Sequence, residues 1–207
     1  MLTANNKGGS NVPLIEAGLH EAVCYSIVDI GTVHSDLYST DQRKIVLIWE
    51  IPDSRIDIKD KGNLPRAISK KYTMSLGTKA NLRKDLVSWR TRDFTPEEEA
   101  SFELQKLLGA SCILNIVHNR KQDGTPYAMV GAVLPLKGKK LVPENPFSIY
   151  GIEENGLDIP NTLPPWLVEE IKKSPEYQKV LHPDDGPQAD QQDDTDPGTE
   201  DDTEIPF

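Results

Sequence analysis

The chain has 207 residues and a mass of 23.1 kDa, enough for one domain with its own core plus appendages and short for two independent ones. Hydrophobic residues make up 37% and no run approaches 18 of them, which excludes a membrane-spanning helix, while two distant cysteines, Cys24 and Cys112, exclude a disulfide framework or a paired CxxC metal site. The formal net charge of −10 argues against a polyanionic partner only as an average, because residues 183–207 hold ten acids and no Lys or Arg.

The first twelve residues, MLTANNKGGSNV, lack a basic flank followed by an apolar stretch, so the expected location is the cytoplasm, with residues 1–16 as a flexible segment. Leu19 to Gly31 and Arg43 to Ile51 are rich in β-branched and aromatic residues and bounded by Gly, Asp and Pro, marking strands one and two. Pro52 to Pro65 is polar and punctuated by Gly62 and prolines, which predicts a long excursion. Ser69 to Leu76 reads as strand three, with Lys70, Tyr72 and Met74 on one face and Lys71, Thr73 and Ser75 on the other. Leu82, Leu86 and Trp89 then recur at helical spacing behind Thr78 as N-cap, and the opposite face carries Lys79, Arg83, Lys84 and Arg90. A second helix starts at Thr95, with Pro96 at N1 and Glu98 at N3 in capping-box spacing, and its stripe of Ala100, Leu104, Leu107 and Leu108 runs to Gly109. Ser111 to His118 and Pro126 to Leu134 are strands four and five, joined by a turn containing Asp123-Gly124.

This order, mainly β with helical material between strands three and four, is that of the OB-fold, a five-stranded Greek-key barrel that binds oligonucleotides or oligosaccharides. The barrel is expected over residues 17–140. Residues 141–182 form an extension packing on it, with a short helix over Leu163 to Lys173 in which Ile171 shares a side with Trp166 or Leu167. Residues 183–207 are expected to be a disordered acidic tail, since nothing apolar is large enough to fold around.

Without the tail's ten acids, 23 acids face 23 bases, and these are unevenly spread. From Arg55 to Arg92 eleven bases stand against Asp57, Asp60 and Asp85, a stretch of +8. A solvated face is the plain reading of such a run; a nucleic-acid groove is the functional one. Single-stranded nucleic acid is held by bases stacked on aromatic rings and by cations that follow the phosphates. Candidate rings are Tyr25, Trp49, Tyr72 and Tyr127 on strands, with Trp89 and Phe94 beside the helix. Each has a core alternative, strongest for Trp89 on its apolar stripe and open for Trp49, which shares a face with Ile45, Leu47 and Ile51. Tyr72, between Lys70 and Met74, is the first choice. Phosphate contacts are assigned to Lys70, Lys71, Lys79, Arg83, Lys84, Arg90 and Arg92, with Arg120 and Lys121 from the hairpin.

The sequence ends Asp201-Asp202-Thr203-Glu204-Ile205-Pro206-Phe207, acids followed by two large apolar residues. This ending resembles the acidic, Phe-terminated tip of bacterial single-stranded DNA-binding proteins, and the segments Tyr72 to Phe94 and Leu107 to His118 resemble phage-encoded members of that class. The resemblance is loose over residues 17 to 182 and close at the tip, where Thr203 and Glu204 stand among the usual aspartates. It implies a protein that coats single-stranded DNA without sequence preference and forms homo-oligomers. It also implies recruitment of a polymerase, primase, helicase or recombinase through Asp201, Asp202, Glu204, Ile205, Pro206 and Phe207. No cofactor, catalysis or membrane is implied, and the compartment would be the bacterial host cell.

Enzyme readings rank lower. Pro52-Asp53 and Asp57-Ile58-Lys59 imitate a metal-dependent nuclease motif, but three intervening residues are too few to place two carboxylates on adjacent core strands. His20, His34, His118 and His182 lack zinc spacing, His118 and Cys112 fit strand packing better than a nucleophile and its base, and Gly8-Gly9-Ser10 lacks the lysine of a phosphate-binding loop. The alternatives are a protein adaptor built on the same barrel and a DNA mimic, the latter opposed by the +8 stretch.

Overall fold

A computed structural model describes residues 13–35 and 39–183. Strands β1 (Gly18–Ser35), β2 (Thr40–Ile58), β3 (Gly62–Thr73), β4 (Ser111–Arg120), β5 (Pro126–Pro135) and β6 (Ser148–Tyr150) form one sheet. Helices α1 (Asn81–Arg90) and α2 (Pro96–Ala100) lie between β3 and β4, and α3 (Ile152–Asn155), α4 (Pro165–Lys173) and α5 (Pro175–Leu181) follow β6. Among the described residues no helix is long and apolar enough to cross a membrane.

The hydrogen-bonded order is β3-β2-β1-β4-β5, each neighbour antiparallel, with β6 added parallel to β1. β4 pairs β1 over Gly18–Val23, and β6 takes the same edge over Ser26–Val28. A bulge between Cys24 and Ser26 lies where β1 changes partner, and a second, between Asp29 and Thr32 beyond β6, holds Gly31 at φ +71°. The path ends at β3 and β5, which approach one another with no ladder among the described residues.

Alternation along β2 explains why its apolar run is continuous, since both faces are covered. Ile45, Leu47, Trp49 and Ile51 join Ala22, Cys24, Leu114 and Val130 in a core closed by Leu82, Leu86 and Trp89 of α1. Val46 and Ile48, with Val28 and Ile30 of β1, enter a second core closed by Tyr150, Ile152, Leu167, Ile171 and Tyr177 of the C-terminal segments. Each such side chain contributes about 1.5–3 kcal/mol by leaving water. Within α4 the partner of Ile171 is thus Leu167, and Trp166 points outward, 46% exposed. Glu50, on the same outer face of β2, is fully buried, and its carboxylate accepts from the backbone N–H groups of Glu144 and Asn145 at 2.8 and 2.9 Å.

Four expectations are corrected. Pro52 to Pro65 is no excursion: β2 and β3 continue as a hairpin in which Ile56 faces Leu64, and a bulge between Ile51 and Arg55 accommodates Pro52, which has no N–H to give a ladder. The helix beginning at Thr95 has the expected capping box but stops after five residues, followed by a 3-10 turn over Leu104–Leu107. Phe102 leaves the helical path to pack edge-on against Phe94, centroids 5.2 Å apart. α1 begins after Ala80, three residues from Thr78, without a side-chain cap. Residues 13–16 are not a loose leader, because Ile15 is buried in the first core and its carbonyl meets His118 Nε2 at 2.8 Å. Residues 1–12 and the acidic tail with its tip, Asp201 to Phe207, lie outside the described residues.

Candidate nucleic-acid interface

On β3, Tyr72 and Lys70 turn toward α1. Tyr72 is 3% exposed, and its hydroxyl donates to Asp85 Oδ2 at 2.7 Å, the same oxygen that receives Lys70 Nζ at 2.6 Å. Burial, reinforced by the Asp85 charge, pushes the Tyr72 phenol far above its ordinary range. The expected stacking ring therefore has no free face, because the strand face carrying it is the one α1 covers. Trp49 is likewise removed from solvent, its ring centroid 6.2 Å from that of Trp89.

Arg55, Arg83, Arg90 and Arg92 of the basic stretch pair with carboxylates of the chain, and Arg83 is buried. Arg83 is 8% exposed and reaches the Leu76 carbonyl, Asp93 and Glu99 at 2.9, 2.8 and 2.6 Å. Arg90 lies over the Phe94 ring at 4.5 Å and pairs with Glu98 at 2.6 Å, and Arg92 meets the same carboxylate at 2.7 Å. Glu98 thus serves both the capping box and two guanidinium groups, which hold its carboxyl well below the usual range. Arg55 pairs with Glu144 and Lys71 with Glu170 of α4, at 2.6 and 2.5 Å. Lys70, Arg83, Arg90 and Arg92 thus each meet a carboxylate of the chain itself, as Lys71 does.

Lys59, Lys61, Arg66, Lys79 and Lys84 have no ion-pair partner among the described residues, although Arg66 Nη2 donates to the Pro13 carbonyl at 2.5 Å. Arg120 and Lys121 are exposed at the β4–β5 turn, where Arg120 Nη1 donates to the Gly124 carbonyl at 3.2 Å. Tyr127, opposite Asn119, and Tyr25 are half-buried. Burial and the nearby Glu50 charge push the Tyr25 phenol up.

The outward face of β3 presents Lys71 and Thr73, and its register with β2 sets Lys44 opposite Thr73. Together with Lys79, Ala80 and Asn81 at the start of α1, these residues line a cavity of about 330 Å³. Lys44 Nζ donates to Gln42 Oε1 at 2.6 Å and Thr73 Oγ1 at 2.7 Å. Burial first, and then the neighbouring Lys71 charge, pull its ammonium below the ordinary lysine value. No Asp or Glu lines the cavity, and α1 brings no acid in its first turn. Three lysines thus line a cavity beside a helix start that has no side-chain cap.

No family model and no curated protein matches the sequence.

Of the expected site residues the fold unites Lys71, Tyr72 and Lys79 at this cavity, and it adds Lys44, which sequence reasoning missed. Its only signal is position: it is the polar residue one step before the Ile45 to Ile51 run, and register alone brings it to Thr73. Phe147 and Trp166, 57% and 46% exposed, are accessible rings outside the expected set. Among the described residues no group of three or more His, Cys, Asp or Glu is placed to hold a metal ion.

Proposed function

We propose that this chain is a single-stranded DNA-binding protein with OB-fold architecture. It coats unwound strands without sequence preference during phage replication and recombination, and recruits replication enzymes through Ile205, Pro206 and Phe207. The fold reading is supported by the order β3-β2-β1-β4-β5, by helices between β3 and β4, and by β3 lying against β5, all features of a partly open five-stranded Greek-key barrel. The carrying observation is the lysine-lined cavity on β2 and β3, the strands whose outer face takes oligonucleotides in that fold. Lysines act on phosphate as point charges without reading base edges, which suits binding without sequence preference.

The test is fluorescence anisotropy of labelled poly-dT with the full chain and a chain ending at His182, at two salt concentrations with duplex competitor. Each phosphate neutralised on a single strand contributes about 0.7 to the salt slope. With Lys71 paired to Glu170, the two remaining cavity lysines, Lys44 and Lys79, give a slope of about −1.4, shallower than eleven free bases would give. Lys79→Ala is expected to weaken binding and flatten that slope.

A second reading, a protein adaptor on the same fold, is favoured by one observation. The C-terminal segments cover Val28, Ile30, Val46 and Ile48, the outer face of β1 and β2. Absence of poly-dT binding by either chain at low salt selects it.

A further inference from the structure

We propose that the cavity formed by Lys44, Lys71 and Lys79 is a binding site for a phosphate dianion, either free phosphate or the phosphomonoester at a strand end.

Charge balance at this one place favours a dianion. Three lysines line the cavity, and the Glu170 carboxylate paired with Lys71 neutralises one of them, leaving two positive charges. A phosphodiester in a strand interior carries one negative charge, whereas a phosphomonoester carries about 1.5–2 at neutral pH, so the dianion is the better match. The volume of about 330 Å³ corresponds to on the order of ten waters at about 30 Å³ each, room for a phosphate group with part of its hydration. Each ammonium has three donors; Lys44 spends two on Gln42 and Thr73, and Lys71 one on Glu170, so both retain N–H groups for oxygen atoms. Lys79 is exposed and has no ion-pair partner among the described residues. The cations come from three elements, β2, β3 and the segment before α1, so they reach a tetrahedral group from separate directions.

The experiment uses the full chain in two arms. In the first, inorganic phosphate is titrated while the backbone amide NMR signals of Thr73 and Asn81 are followed. Saturable shifts are expected at these amides, and Lys79→Ala should weaken the affinity about tenfold, the scale of losing one charge-assisted hydrogen bond. Lys179→Ala, an exposed lysine of α5 outside the cavity, should leave it unchanged. Absence of saturable shifts, or equal affinity in Lys79→Ala, overturns the proposal. In the second arm, oligo-dT bearing a 5′-phosphate, a 3′-phosphate or hydroxyl ends is compared by anisotropy. Tighter binding of a phosphorylated end, lost in Lys79→Ala, assigns the dianion to a strand end, and equal binding of all three assigns it to free phosphate. Phosphate binding without any oligonucleotide binding sustains the site while removing the single-stranded DNA reading, so the two fail separately.

Discussion

Trp49 and Trp89 meet at 6.2 Å in the core with their rings inclined at 52°, yet their indole N–H groups fare differently. Trp89 Nε1 donates to the Ser111 carbonyl at 2.8 Å, tying α1 to the start of β4, whereas buried Trp49 Nε1 has no partner among the described residues. A buried donor left unpaired costs about 1–3 kcal/mol. Replacing Trp49 by Phe removes that cost together with some packing, and the net effect on stability is expected to stay within about 1 kcal/mol. Replacing Trp89 by Phe strands the Ser111 carbonyl and is expected to cost about 2 kcal/mol. Urea denaturation of the two variants checks the ranking, and a Trp49→Phe loss larger than that of Trp89→Phe reverses it.

Gly31 is a steric lock on the C-terminal helices. At φ +71° a Cβ there would run into Ser174 and the Glu176 carboxylate. That carboxylate accepts from the Thr32 N–H at 2.9 Å and from its hydroxyl. Gly31→Ala is expected to cost about 1–2 kcal/mol for the left-handed backbone, with the side-chain collision added. Hydrogen exchange should rise across α4 and α5 while β4 and β5 stay protected. Unchanged exchange in α4 and α5 means that this contact does not hold the helices.

The Glu98 carboxyl is held down by hydrogen bonds from Arg92 and then Arg90. Its stabilising contribution is complete above the unfolded value of about 4.3 and is lost as pH falls through the lower folded value. Side-chain carboxyl NMR should place its midpoint below about 4.3, and Arg92→Gln should raise it. A wild-type midpoint at or above that value contradicts the ion-pair geometry.

The proposed function makes residues 183–207, with their ten acids, a competitor for the lysine cavity. Short flexible tethers give effective concentrations of order mM, so removing residues 183–207 is expected to tighten poly-dT binding at low salt. The advantage should fade as salt screens both partners. Equal affinity of the full and shortened chains at low salt removes this role from the tail.

Local chemistry was legible before any coordinates. The Thr95 capping box depends on residues three apart, and strand alternation along Ile45 to Ile51 depends on neighbours two apart. So did the assignment of Lys70 and Tyr72 to one face of β3, but alternation does not say which face a helix will cover, and α1 covered that one. The excursion drawn over Pro52 to Pro65 failed for a related reason, since Ile56 opposite Leu64 becomes visible only in register. Charge behaved similarly: a run of eleven bases counts cations along the chain, while the carboxylates that cancel them arrive from elsewhere, Glu170 on Lys71 from 99 positions away. The sequence by itself therefore determined the capped start of α2, the mainly β class and the segregation of acid into residues 183–207, because short-range sterics, hydrogen bonding and composition decide these. Only the tertiary structure decided which rings are core and that Lys44, Lys71 and Lys79 share one cavity, because strand register and helix placement set distances between residues the chain holds far apart.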